Sequence, residues 1–277
     1  GAPPPGKPDQ PLPAYVTKNA ISGTSQHGGT YIYGVSVIAP IEQIGANVAA
    51  IGHLNASPDP ADGAIRSEPL VIDYYGEPYP SLALMIAAKS LNLGAKDIKV
   101  NLGESVAIGN KVVRTDSQAR MLTYFYKDRD GRPAFPVDSF FDVITGKIPA
   151  TKYTDKIVLI GAVAAGIGTA QVTPISAQMN PVTTLAHSVS SLMQEHFFVA
   201  PTWGAYATIG VYLLVAVYLV LLLPQLGAGM GAVLTALLFA ALFGAHLGLM
   251  TGAGLWLQLM LPATLRAPCT CTTTAGR

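Results

Sequence analysis

The stretch Gly161-Ala-Val-Ala-Ala-Gly166-Ile-Gly168 invites a nucleotide reading, because a glycine-rich turn after a strand can cradle phosphate on its backbone amides. It lacks the Gly-x-Gly-x-x-Gly of a dinucleotide loop and the Gly-Lys-Ser/Thr of a phosphate loop. Glycines that let the backbone pack closely explain it more simply. Nucleophilic serine chemistry finds no motif either, since Gly-x-Ser-x-Gly does not occur. His187 lies beside Ser188 and near Ser190 and Ser191, but on one helix these make no triad without a distant carboxylate. His27, His53, His187 and His196 show no metal-ligand spacing such as His-x-x-x-His. Cys269 and Cys271 are too close for an easy disulfide and lack the partners of a zinc site. No catalytic residue, metal or cofactor is expected.

Asp59, Asp62, Asp73, Asp128, Asp130, Asp138 and Asp142 fall on turns and helix starts, where capping is the ordinary role. A glycosidase-like pair would need two of them to converge. Asp62-Gly63-x-x-Arg66 is more pointed. Gly63 permits a turn across which Asp62 and Arg66 can pair bidentately. Asp62 and Arg66 are therefore the candidate ligand-binding residues, with a structural clip as the simpler reading.

These groups need elements to position them. Residues 34–39 (GVSVIA) read as strand-like, and Pro40 starts a short helix. Residues 49–55 (AAIGHLN) read as a buried strand, and 57–63 (SPDPADG) as a turn. Leu70, Ile72 and Tyr74 alternate with Val71 and Asp73 in a strand ending at Gly76. Ser81 precedes a helix that Gly94 stops. Gly109-Asn110 joins a hairpin over 106–115. Residues 121–126 (MLTYFY) predict a strand, and 128–133 a turn. Ser139 caps a short helix over 139–145 that Gly146 ends. Residues 156–162 (KIVLIGA) form the strongest candidate for a strand buried on both faces. A helix over 184–198 is expected to run straight into a following apolar segment. Alternating strands and helices predict an α/β domain, and the hairpin makes its sheet mixed.

Charge divides the chain in two. Of its 277 residues 12% are charged, against about 25% in soluble proteins. From 196 to 265 there is no Asp, Glu, Lys or Arg. The preceding part holds 15 basic and 16 acidic residues, a balance that excludes a strongly basic nucleic-acid binder. Residues 203–223 are charge-free and reach about 31 Å as a helix, the depth of a bilayer core. Trp203 and Tyr206 suit the interface. Residues 227–250 form a second such run, with Gly227, Gly231 and Ala232 allowing close helix approach. Residues 252–265 form a third, short for a span. His246 is the one ionisable group inside these runs. With no acidic partner there, packing is its expected role. Arg266, if cytoplasmic, puts residues 1–200 outside across three spans. Residues 1–13 contain six prolines and read as a linker. The chain starts at Gly1 rather than Met, so a missing upstream end is expected, and its tail RAPCTCTTTAGR looks unlike everything before it.

Taken in order, IGHLNASPDPADGAIRSEPL at 51–70, YPSLAL at 79–84, FPVDSFFDVITGKIP at 135–149 and DKIVLIGAVAAGIGTAQVTPI at 155–175 resemble the second type of CHASE domain. That family is the extracellular sensor of bacterial cyclases and kinases. The resemblance covers about residues 34–265. Where the family pattern reads Pro-Gly-Val-Glu-x-His-Ala, this chain has Pro181-Val-Thr-Thr-Leu-Ala-His187, which resembles the subgroup attached to serine/threonine kinases. The resemblance implies an external sensor, three spans and a cytoplasmic catalytic domain.

The expected organisation is a Pro-rich linker over 1–33, an extracellular CHASE-type sensor domain over 34–200 and transmembrane helices over 203–223 and 227–250. A truncated third span over 252–265 and an atypical tail over 266–277 follow. The expected function is to sense an extracytoplasmic stimulus for a serine/threonine kinase or cyclase, from the bacterial inner membrane as a multi-pass protein. Kinase motifs are absent from the chain itself. Expected partners are the lipid bilayer, a small-molecule or envelope stimulus and a second copy in a homodimer, with no nucleic acid. A membrane-anchored envelope hydrolase and a non-signalling membrane scaffold are the alternatives.

Overall fold

The computed structural model describes residues 11–163, 169–199, 203–252 and 254–256. The chain divides into two compact units, Gly1–Phe197 and Phe198–Arg277. The first is a mixed α/β domain. Its largest sheet orders β1 (Gly23–Gln26), β7 (Ile98–Leu102), β8 (Ser105–Ile108) and β9 (Lys111–Arg114). β1 and β7 are parallel, and the other pairs antiparallel. In a second sheet β4 (Ile65–Pro69) lies between β10 (Arg120–Thr123) and β3 (Ser57–Pro58). A third orders β2 (Ile32–Tyr33), β5 (Val71–Tyr74) and β6 (Glu77–Pro80), and β11 (Gln171–Thr173) pairs with β12 (Ser176–Met179). Short helices α1 (Ala14–Thr17), α2 (Glu42–Gly45) and α4 (Phe140–Ile144) decorate it, while α3 (Leu82–Ser90) and α5 (Pro181–Gln194) pack together.

Local chemistry accounts for these boundaries. Gly109 alone takes positive φ, 59°, in the β8–β9 turn, as in a type II′ hairpin. The Oγ of Ser81 accepts from the N–H of Leu84 and caps α3. Asn92, at φ 60°, turns the chain out of α3, two residues before the expected stop at Gly94. Ser139 caps α4 through the N–H of Asp142, and Gly146 follows at φ 77°. Pro181 at the first position starts α5. Leu70, Leu84, Met85, Ile98, Ile108, Met121 and Leu192 are fully buried and form one core shared by β-sheets and helices.

Four expectations need correction. Residues 34–39 form no strand, and Val35, Val37 and Ile38 face outward. Residues 49–55 form none either, beyond one bridge from His53 to Ser81. The aliphatic run 156–162 lies in no strand and exposes Ile157, Val158 and Ile160. Strand propensity supplies no pairing edge, and without one in register the run stays unpaired. The helix expected over 184–198 stops at Gln194. Glu195 takes left-handed φ, 57°, and the N–H of His196 reaches the carbonyl of Ser191 at 3.0 Å, which closes a Schellman-type end. No continuous helix leads into the apolar segment.

The second unit holds two apolar helices. α6 (Gly204–Val217) continues through a wide turn at Tyr218–Leu222 and a tight one at Leu223–Gln225. Pro224 cannot donate to the ladder, and its ring crowds the preceding turn, which accounts for the widening. α7 spans Ala228–Gly252. Both are long and apolar enough to cross a membrane by length and composition, over Tyr206–Gln225 and Gly229–Gly252. Val215 and Tyr218 are buried, but most of their other apolar side chains face outward, which suits lipid and not water. The N–H of Val199 donates to Gly254 and that of Trp256 to Val199, so the entry to α6 meets the exit from α7. Of the third predicted run, residues 253 and 257–265 lie outside the described residues, as do residues 1–10, the glycine-rich loop at 164–168 and the tail.

Candidate functional site

Thr184, His187, Ser188 and Ser191 recur at i, i+3, i+4 and i+7 on α5 and so share one face. All four are buried. Beside them Leu185, Val189 and Leu192 pack on the apolar core. A buried helix face made of four polar groups is costly unless each finds a partner. Three do so on β4 and on the chain leaving β10. The Oγ of Ser188 donates to Oε2 of Glu68 at 3.2 Å. Ser191 bonds the backbone of Tyr124. The N–H of Tyr126 donates to Nδ1 of His187 at 3.2 Å. Thr184 Oγ1 has no hydrogen-bond partner among the described residues.

His187 lies in an aromatic pocket, stacked on Tyr126 and edge-on to Phe135. Burial lowers its pKa to about 4, and only Asp128 opposes this. The ring is therefore neutral near pH 7. Because Nδ1 accepts, Nε2 carries the hydrogen. His187 thus serves the backbone and does not activate a serine. His196 joins the same aromatic group through Tyr126 Oη at 3.1 Å.

Glu68 is the residue that sequence reasoning missed. It sits on β4 opposite Met121 of β10, partly buried, with the Ser188 hydroxyl as its hydrogen-bond donor and the Ser81 hydroxyl nearby. Burial pushes its carboxyl up to about 7, although both hydroxyls pull it down. A glutamate between Ser67 and Pro69 carries no sequence signal of this, because its partners lie far away in the chain. His53 stands beside Ser81 through a parallel bridge. Its Nδ1 accepts from the N–H of Asn55 at 3.3 Å, its buried Nε2 has no partner among the described residues, and burial lowers its pKa to about 4.

Asp62 and Arg66 do come together. Arg66 Nη1 and Nη2 donate to the two carboxylate oxygens of Asp62 at 2.8 and 2.5 Å. Nη1 also reaches Asp59 at 3.2 Å. The Arg66 guanidinium holds the Asp62 carboxyl far below the usual range. Gly63 turns the chain between them at φ 71°. The three side chains are half-exposed, so the clip faces solvent with its charges already paired.

Asp138 is paired with Lys152 and Tyr153, and Asp142 with Lys147. Neither joins a second carboxylate in these bonds, as acid–base hydrolysis would require. Among the described residues no three His, Cys, Asp or Glu side chains are grouped to hold a metal. A shallow apolar groove of about 390 Å³ runs along α3, between Leu82, Met85 and Ile86 on one side and Ala49, Ala50 and Ile157 on the other.

The arrangement is that of a mixed α/β domain with a polar buried helix face and no catalytic constellation among the described residues. Residues 7–222 match the CHASE2 domain, and the chain belongs to that family. CHASE2 is a family of sensor domains. With two helices fit to cross a bilayer, the chain is consistent with a sensory membrane protein. No curated protein and no solved structure matches it.

Proposed function

We propose that this chain is the sensory and membrane-anchoring part of a bacterial transmembrane signalling protein. The observation that carries the reading is a sensor-family match over residues 7–222 in a chain that also holds two helices apolar on every side. In this reading residues 1–200 face outward from the inner membrane and the protein is multi-pass. The domain detects a small molecule or an envelope state for a cytoplasmic serine/threonine kinase or cyclase, with a homodimer as the working unit. The groove along α3 supports a small apolar ligand. The exposed Asp62–Arg66 pair is the polar contact assigned to such a ligand.

The test is protease shaving of spheroplasts expressing the full-length protein, coupled to an assay of its output. Digestion of residues 1–200 from outside, with output that varies with the envelope medium, supports the reading. A front half that survives outside protease and is cut only after lysis overturns it. Arg66→Ala tests the ligand contact: a lost response with unchanged thermal unfolding supports it, and a lowered Tm with normal response makes the pair a clip.

A further inference from the structure

Glu68 lies where three elements meet. Its own strand is β4, Ser188 of α5 donates to it at 3.2 Å, and Ser81 stands nearby at the start of α3. The oxygen of Ser81 accepts from Leu84 to cap α3. A single carboxyl thus ties β4 to α5 beside the cap of α3. It does so without a cation, for no Lys, Arg or His forms an ion pair with it among the described residues.

We propose that Glu68 is a proton-binding site, and that its protonation changes how firmly α5 is held against β4 and the start of α3. The inference rests on the sensor reading for its biological use, but not for its chemistry. Proton uptake balances simply: one O–H bond of hydronium breaks, one carboxyl O–H bond forms on Glu68, and a water molecule is released. The ionised form accepts from the Ser188 hydroxyl. The neutral form carries one hydrogen of its own to donate and sheds the cost of a buried charge.

The surrounding groups leave Glu68 to titrate alone near neutrality. On β4 itself, Arg66 is taken by Asp59 and Asp62. On β10, Arg120 is taken by Asp116. From α5 comes His187, and beside Ser81 stands His53, both kept neutral near pH 7 by burial. β3 and β11 bring no ionisable side chain. Burial raises the Glu68 carboxyl to about 7.

A raised carboxyl in the folded state means that the folded domain binds the proton more tightly than the unfolded chain. The stabilisation is complete below the ordinary value of 4.5 and is lost as pH rises through about 7. The two buried histidines act in the opposite direction between 4 and 6.5. The Glu68 contribution is therefore read as wild type against Glu68→Gln.

The experiment uses the whole 277-residue chain in lipid nanodiscs. Infrared spectra should show a protonated-carboxyl band growing as pH falls through about 7, and Glu68→Gln should remove it. Amide protection of α5, taken as the ratio of wild type to Glu68→Gln, should fall about tenfold per pH unit between about 5 and 7. Ser188→Ala removes a bond that favours the charged form, so it should move the infrared midpoint upward. This arm keeps the test decisive where Glu68→Gln fails to fold. A wild-type chain without a carboxyl band near pH 7, a band that persists in Glu68→Gln, an unmoved midpoint in Ser188→Ala, or a flat protection ratio would each overturn the proposal. Failure of the sensor reading shows instead in the shaving experiment and leaves these spectra unchanged.

Discussion

Ser191 satisfies both backbone polar groups of Tyr124: its Oγ accepts from the Tyr124 N–H at 3.1 Å and donates to the Tyr124 carbonyl at 3.2 Å. Tyr124 directly follows strand β10, which ends at Thr123. One hydroxyl on α5 thus clamps the chain at the end of this strand. Two turns of the helix thereby become bonded to the chain from 124 to 126, because His187 serves Tyr126 in the same way.

Ser191→Ala should therefore cost more than a surface serine. Ser191 is fully buried, and its removal takes one hydrogen bond each from the N–H and the carbonyl of Tyr124. Two such bonds contribute about 1–3 kcal/mol together, equivalent to roughly 2–12 °C in Tm for a domain of this size. Thermal unfolding by circular dichroism measures it. A Tm within a degree of wild type would show that water replaces the hydroxyl at no cost.

Sequence made legible what depends on near neighbours. The Ser81 cap, the Gly109 hairpin, the Ser139 cap and the Asp62-Gly63-x-x-Arg66 clip all join residues within a few positions of each other, where side-chain chemistry dictates the geometry. The spans were legible because a bilayer demands an unbroken apolar length. What stayed hidden needs long-range pairing. Residues 156–162 have strand chemistry but no edge to join. Glu68 and Ser188 are 120 positions apart, and nothing in either neighbourhood announces the other. The end of α5 was hidden for another reason: Glu195 occupies a left-handed position usually taken by glycine.

Gly52 should not tolerate a side chain. A Cβ there would lie 2.5 Å from the backbone of Ser81 and of Leu82, where the Leu82 N–H already bonds the His53 carbonyl at 2.8 Å. Backbone cannot rotate away as a flexible side chain can. Gly52→Ala should push the start of α3 outward and cost about 1–3 kcal/mol, as overpacking does. Equilibrium denaturation tests this, with Gly63→Ala as a contrast, since Gly63 is uncrowded and is disfavoured only by its positive φ. Equal losses in the two variants would argue against crowding.

The buried imidazole of His187 gives the domain an acid-side weakness. Burial lowers its folded-state value to about 4 from 6.5, so the unfolded chain binds the proton more readily. The contribution is complete above 6.5 and is lost as pH falls towards 4. His187→Asn offers an amide oxygen to the Tyr126 N–H and has no proton to take up. Its Tm should be lower than wild type at pH 7, through lost packing with Phe135 and Tyr126, and should decline less from about pH 6.5 to 4.5. Parallel pH profiles for the two proteins would remove His187 from the account.

The apolar unit yields the last prediction. Tyr218 Oη and Thr235 Oγ1 lie 3.0 Å apart and join the turn after α6 to α7. The backbone bonds from Val199 to Gly254 and from Trp256 to Val199 hold the open ends of the two helices together. If both helices cross the bilayer, residues 199 and 255 must emerge on the same side. Single cysteines placed there in a chain lacking Cys269 and Cys271 should react with an impermeant maleimide from one common side of sealed vesicles, and labelling from opposite sides would break the hairpin. Tyr218→Phe should weaken the pairing only slightly, since interhelical hydrogen bonds in membranes contribute on average about 0.6 kcal/mol. Unfolding in mixed micelles would read that loss. A loss several times larger would mean that the hydroxyl pair, rather than close packing at Gly231 against Leu223, holds the two helices together.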